Sequence, residues 1–324
     1  MAVYTEISFD EAAALIGSVG LGTLQALSPC AGGIENTNYF ADTAAGRFVL
    51  TLFERLRADE LPFYLKLMKH HADHALPVPR PHADASGSLL LEIAGKPAAI
   101  VDRLPGEHHL APDADDCAAV GAVLARLHLS ARDFAPTQPN LRGLAWWRET
   151  VPVVVPHLDA GQAALMADEL AYQRHLAASS AYAKLPCAAI HGDLFRDNVM
   201  FVERTLAGVF DFYFAGVDTL LFDIAVALND WCIDLASGRL DEDRAGAFVA
   251  AYDAVRPLET AEVRLMPALM RAAAFRFWLS RAWDQHLPRD AVVLTAHDPD
   301  HFERVLVQRR EVPWHPAQTP RVVP

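Results

Sequence analysis

The feature that most constrains the fold of this chain is an abrupt change of hydrophobic period at Leu104-Pro105-Gly106. Before it lie short β-prone segments, Leu24 to Leu27, Thr37 to Ala41, Arg47 to Phe53, Ser88 to Ile93 and Ala98 to Asp102, separated by Gly-Gly or Thr-Ala-Ala-Gly turns in the manner of an antiparallel sheet. One helical stretch precedes them and a second interrupts them. From Thr5 to Gly17 the apolar positions Ile7, Phe9, Ala12, Leu15 and Ile16 share one face, with Ser8 or Asp10 as cap. After Arg57, Leu61, Leu65, Leu67 and Met68 mark a second helix. It must stop before Pro77-Val78-Pro79-Arg80-Pro81, because prolines at alternate positions force an extended chain. Beyond residue 106 the helical period dominates, at Asp113 to His128, Gln162 to Ala178, Phe222 to Leu235, Asp241 to Val255 and Thr260 to His286, with one strand-rich insert between the second and third. The pattern predicts an α+β protein of two lobes: a small antiparallel-sheet lobe over residues 1–102 and a larger, mainly helical lobe over 103–311. A tail over 312–324, after a helix capped by Asp298-Pro299, is expected to be extended or disordered.

Composition narrows the classes of function. The 324 residues suffice for two cores, and no stretch approaches the ~20 apolar residues of a membrane span. Residues 1–10 carry Glu6 and Asp10 and read as mature sequence rather than a secretory signal, so a soluble cytoplasmic protein with no membrane partner is expected. Twenty-eight basic against forty-one acidic residues give a formal charge of −13, which repels a phosphate backbone and argues against nucleic acid. Cys30, Cys117, Cys187 and Cys232 lack the paired spacing of a zinc or dithiol site and are expected to be buried reduced thiols. Nothing in the sequence sets an oligomeric state.

The chemistry concentrates in Ile190-His191-Gly192-Asp193-Leu194-Phe195-Arg196-Asp197-Asn198-Val199-Met200-Phe201 and the following Gly208-Val209-Phe210-Asp211-Phe212-Tyr213. If Asn198 to Phe201 and Ala207 to Asp211 are strands joined around Arg204, a hairpin sets Asn198 beside Asp211. An amide oxygen and a carboxylate suit a hard cation that keeps several waters and the phosphates of its nucleotide, which points to Mg2+ with ATP. Asp193, five residues before Asn198, is then placed to accept the proton of a hydroxyl held near the metal. Singly, each residue also fits an acidic turn in which Asp193 and Asp197 cap and His191 fills a core gap. Together, His-x-Asp-x-x-x-x-Asn, an apolar hairpin and a closing Asp match the catalytic loop and metal motif of kinases.

On these residues the chain resembles, over nearly its whole length, the aminoglycoside phosphotransferase-like superfamily of small-molecule kinases, with their two-lobed protein-kinase-like fold. Gly33-Ile34-Glu35-Asn36-Thr37-Asn38-Tyr39-Phe40, Phe48-Val49-Leu50-Thr51-Leu52-Phe53-Glu54, Leu228-Asn229-Asp230-Trp231-Cys232 and the His191 to Asn198 stretch look most like its bacterial homoserine kinase branch. The resemblance implies that Asp193 is the base, that Asn198 and Asp211 hold the metal, that Asp223 buttresses the catalytic loop from the next helix and that His191 holds the loop backbone. It implies ATP as phosphoryl donor and homoserine as acceptor, in threonine biosynthesis.

Further site residues follow from position. The Gly32-Gly33 turn, with Asn36, lies between two predicted strands where exposed N–H groups can meet phosphate. The third strand departs from the kinase pattern, because Thr51 stands where a lysine usually holds the nucleotide; Arg55 or Lys66 are substitutes, and Glu60 is the candidate for the helical acid that pairs with such a cation. Val101, Asp102 and Leu104 are the expected hinge for adenine, where the lobes join. An amino-acid acceptor needs a cation for its carboxylate and an acid for its ammonium, for which Arg196, Asp230 and Arg276 are available. Competing expectations are a kinase for choline, an aminoglycoside or a sugar, and a catalytically silent nucleotide-binding protein suggested by the missing lysine.

Overall fold

The computed structural model describes residues 4–30, 36–287 and 300–317. The chain forms two compact units. One comprises Met1–Glu107, Met200–Val202 and Ala207–Tyr213; the other comprises His108–Val199, Glu203–Leu206 and Phe214–Pro324.

In the first unit the order is α1 (Phe9–Ser18), β1 (Leu24–Pro29), β2 (Thr37–Thr43), β3 (Gly46–Leu52), α2 (Pro62–Asp73), β4 (Leu91–Ile93) and β5 (Lys96–Asp102). Ser8 starts α1 through a capping box: its hydroxyl accepts the Glu11 amide, and the Glu11 carboxylate accepts the Ser8 amide at 2.8 Å. The strands form one antiparallel sheet in the order β1-β2-β3-β5-β4. Register sets Tyr39 against Leu50 and Leu50 against Ile100, so alternate residues of three strands make one apolar row. Ala12 and Ile16 of α1 cover that row, and Leu50 is fully buried beneath them. Replacing such a leucine by alanine costs about 2–5 kcal/mol. β4 and β5 are joined by Ala94 and Gly95, both at positive φ, the two-residue turn whose twist suits a hairpin. The proline segment is extended as expected: Pro81 bridges to Val101, and Asp102 donates its amide to Arg80.

The second unit contains α3 (Ala114–Ser130), α4 (Leu144–Val154), α5 (Ala160–Ala177), β6 (Cys187–Ile190), a strand Gly216–Thr219 here called β9, α6 (Leu220–Trp231), α7 (Glu242–Val255), α8 (Thr260–His286) and α9 (Asp300–Glu311). Between β6 and β9 the hairpin β7 (Val199–Val202) and β8 (Thr205–Val209) forms its own two-stranded sheet. β6 pairs antiparallel with β9. All twelve residues of α6 are buried, so this helix is the axis of the unit. α3 and α7 meet backbone to backbone at Gly121, where a Cβ would stand 2.2 Å from the Phe248 carbonyl oxygen.

Several expectations shift. The hairpin residues 200–202 and 207–213 group with the first unit, because Phe201 exchanges both backbone hydrogen bonds with Glu107 at 2.9 Å. A single cut near Asp102 to Gly106 therefore does not describe the division. α4 was not anticipated, since Pro152 interrupts its sequence pattern. α6 ends at Trp231 rather than Leu235. All four cysteines are free thiols, but only Cys117 and Cys232 are buried and Cys187 is exposed. Asp298 and Pro299, and residues 318–324 of the tail, lie outside the described residues. Among the described residues no helix is long and apolar enough to cross a membrane.

Candidate active site

The loop from His191 to Asn198 leaves β6, whose Ile190 is paired with Gly216 of β9, and enters β7 through a single 3-10 turn over Arg196–Asn198. Gly192 has a φ of +77°, and a Cβ there would lie 2.8 Å from the Phe214 carbonyl oxygen, so only glycine fits without strain. The two peptides leading into this glycine are held by Asp223 of α6. Its Oδ2 accepts the His191 amide and its Oδ1 the Gly192 amide, both at 2.8 Å. His191 in turn accepts the Asp193 amide on Nδ1 at 3.2 Å.

Asp193, with a side chain 15% exposed, is thereby presented on a fixed backbone. Nδ2 of Asn198 donates to the Asp193 carbonyl at 2.8 Å and lies 3.3 Å from its Oδ2. Nη1 of Arg276, on α8, stands 3.7 Å from Oδ1. The Arg276 guanidinium is 4% exposed and lies against the faces of Phe277, at 3.7 Å, and Phe214, at 5.0 Å. A carboxylate so placed, next to an oriented cation and still partly open to solvent, has the geometry of a proton acceptor for a small hydroxyl compound.

Because the Asn198 amide nitrogen is engaged by Asp193, its oxygen is the atom left to act as an acceptor. Asn198 directly precedes β7, and Asp211 follows β8 with a φ of +64°.

In the first unit Thr51 is buried on β3 and donates its hydroxyl to Oδ1 of Asn38 at 2.7 Å, so this pair occupies the place of the expected cation. Asn36 directly precedes β2; Gly32 and Gly33 lie outside the described residues. Val101 and Asp102 end β5, where Oδ1 of Asp102 is 2.6 Å from Nε2 of His82. Leu104 packs against Gly208.

Three assignments change. Glu60 is not on a helix: it sits in the turn before α2, where its carboxylate accepts the Arg57 amide at 2.8 Å, as a capping acid does. Lys66 is exposed on α2. Arg196 and Asp230, expected to meet an acceptor, meet each other. Oδ2 of Asp230 accepts both the Arg196 amide at 2.8 Å and its Nε at 3.0 Å, while the guanidinium also donates to the carbonyls of Leu110 and Asp230. Both residues are buried, with their charges spent on one another. Of the three acceptor-binding candidates, Arg276 adjoins Asp193.

Sequence reasoning missed the support behind Asp223. Nε2 of His128, on α3, lies 3.0 Å from Oδ2 of Asp223, and its Nδ1 lies 2.7 Å from the Tyr252 hydroxyl. Arg256 donates to that hydroxyl at 3.1 Å and pairs with both oxygens of Glu262. All five residues are at most 2% exposed. Burial raises the Asp223 carboxyl, but the His128 bond, the nearby His128 and His191 and the Gly192 amide outweigh it and hold the group below the ordinary carboxylate range. The one available signal was His128, which with Arg126 interrupts the apolar run from Ala118 to Leu129.

A sheet-bearing unit, a helical unit built on a buried axis and an acidic loop tied to that axis define a phosphotransferase of the kinase type. The chain belongs to the phosphotransferase enzyme family, whose pattern matches residues 26–258. It is 62% identical to the homoserine kinase of Polaromonas naphthalenivorans, over 97% of this chain and 99% of that one. It is 50% identical to the homoserine kinase of a Janthinobacterium species, over 98% and 99%. Among solved structures it is similar in fold to an amicoumacin kinase in complex with AMP-PNP, Ca2+ and amicoumacin, with a TM-score of 0.67 at 18% identity, covering 94% of this chain and 93% of that one.

Proposed function

We propose that this protein transfers the γ-phosphoryl group of ATP to the hydroxyl of L-homoserine, giving O-phosphohomoserine and ADP, in the cytoplasm and on the route to threonine. The observation that carries the reading is near-full-length identity to homoserine kinases at 62%, and the Asp193 and Arg276 arrangement supports it. In this reading Asp193 accepts the proton of the acceptor hydroxyl as the oxygen bonds to phosphorus and the bond to ADP breaks. Arg276, desolvated between two rings, takes the acceptor carboxylate, a role for which a planar two-donor cation is suited. Asn198 and Asp211 are the residues that would hold Mg2+, which neutralises charge on the transferring phosphoryl group when bound. Asp223 and His191 keep the loop in place. The adenine and phosphates fall to backbone and side chains of the first unit, with Val101, Asp102, Leu104, Asn36 and the Gly32-Gly33 segment as candidates.

The test is ADP release with ATP and magnesium over a panel of homoserine, choline, an aminoglycoside and a sugar. Homoserine is expected to be turned over with the highest kcat/KM. Preference for another acceptor would overturn the substrate, and no turnover with any would favour a silent nucleotide-binding protein.

A further inference from the structure

α6 touches the catalytic loop twice. Asp223 and Asp230 are seven residues apart, two helical turns, and so fall on one face. The first binds the amides of His191 and Gly192, ahead of Asp193. The second binds the amide of Arg196, behind it, at 2.8 Å. Next to Asp230, the indole Nε1 of Trp231 donates to the Leu194 carbonyl at 3.1 Å, and the Trp231 ring is fully buried. Every one of these bonds ends on loop backbone, and they bracket Asp193 on both sides.

We propose that Asp230 and Trp231 are positioning residues for phosphoryl transfer: together with Asp223 they fix the loop that carries Asp193 at both of its ends to one helix. Arg196 belongs to the same device, because its Nε donates to the same Asp230 oxygen that accepts the Arg196 amide and so turns the carboxylate toward that amide. The Leu110 bond then extends the clamp to the segment before α3. Asp230 does not touch the acceptor in this assignment, which distinguishes it from an ammonium-binding acid. The inference rests on Asp193 being the base of the proposed reaction, but the clamp itself is a statement about the loop and can be read without any substrate.

Two variants of the full chain test it. Asp230→Asn weakens the bonds to Arg196, and Trp231→Phe removes the donor to Leu194 while leaving a smaller aromatic ring in the core. Hydrogen exchange of peptides spanning residues 190–199, measured without ligands, should accelerate by about tenfold or more in both, with the rest of the second unit unchanged. In steady state kcat should fall by ~10- to 10²-fold, as for a misplaced catalytic group. The homoserine KM should stay within about threefold of wild type. If Asp230→Asn does not fold, Trp231→Phe carries the same two measurements. A rise in homoserine KM with kcat retained would make Asp230 an acceptor-binding acid and overturn the proposal, as would unchanged exchange. Accelerated loop exchange in a protein whose wild type ignores homoserine would instead leave the clamp standing and remove the substrate assignment.

Discussion

Gly192→Ala puts one methyl group at the point where the catalytic loop turns, and its cost can be worked from the geometry. A φ of +77° lies in the left-handed region, where an L side chain costs about 1–2 kcal/mol. The new Cβ would also stand 2.8 Å from the Phe214 carbonyl oxygen, roughly half an ångström inside ordinary contact, and relieving such overpacking adds about 1 kcal/mol or more. The obstacle is backbone next to β9 rather than a flexible side chain, so the loop must give way. A total of about 2–4 kcal/mol corresponds to a Tm lower by about 3–6 °C for a chain of this length. Because Asp193 is the next residue, kcat should fall at least about tenfold as the carboxylate moves. Gly246→Ala is the control: Gly246 is exposed inside α7 with nothing within 4 Å of a new Cβ, and there the same change should stabilise by up to about 1 kcal/mol. Thermal unfolding and kinetics on both variants decide the matter. A Gly192→Ala protein with wild-type Tm and kcat would refute the argument that this turn demands glycine.

Asp193→Asn should keep the fold and nucleotide affinity but lower kcat by ~10²-fold or more, measured by ADP release, since the proton acceptor is lost while shape is kept. Asp211→Ala should abolish the magnesium dependence of nucleotide binding seen by calorimetry, because Asn198 alone is a weak neutral ligand; unchanged affinity would remove Asp211 from the metal site. Arg276→Ala should raise the homoserine KM by about 30-fold or more, on the ~2–5 kcal/mol cost of leaving a buried carboxylate unpaired, with the ATP KM near wild type. Asp223 has a depressed carboxyl, so its contribution to stability is present above the ordinary carboxylate range and is lost as pH falls through the folded value. Asp218 and Asp230, which burial raises, act in the opposite sense, their contribution lost as pH rises through that range. Thermal melts between about pH 2 and 6 should therefore show a shallower acid decline for Asp223→Asn than for wild type.

What the sequence disclosed and what it hid divide along the range of the interactions involved. Strands and most helices were readable because period and turn residues are local: α8 begins and ends at the expected Thr260 and His286. The His191 to Asn198 loop was readable because its residues are close in sequence and each type has one chemical use there. α4 was obscured by Pro152, and the true place of Glu60 by a capping geometry that differs from helix by only a turn. The support network was invisible for a different reason. His128, Tyr252 and Glu262 come from three helices, and beyond the four-residue step from Tyr252 to Arg256 no spacing carries a period that would join them. Long-range polar contacts leave no mark in a single sequence except polar residues in apolar stretches.

The Arg196 and Asp230 pair shows the same limit in sharper form. An arginine beside a catalytic aspartate and an aspartate on the following helix have the right charges for the two ends of an amino acid, and equally the right charges for each other. Their contact decides between these, since the two side chains are joined at 3.0 Å and only 9% and 12% exposed. Such a pair is not a strong source of stability, because desolvating two charges costs about as much as their attraction returns. Two apolar residues of equal volume could fill the same space. They could not accept the Arg196 amide, which is buried with the rest of its residue and would lose its partner. The charge on Asp230 therefore serves the backbone it holds, and the arginine serves the charge. A pair retained for that reason belongs to the positioning of Asp193.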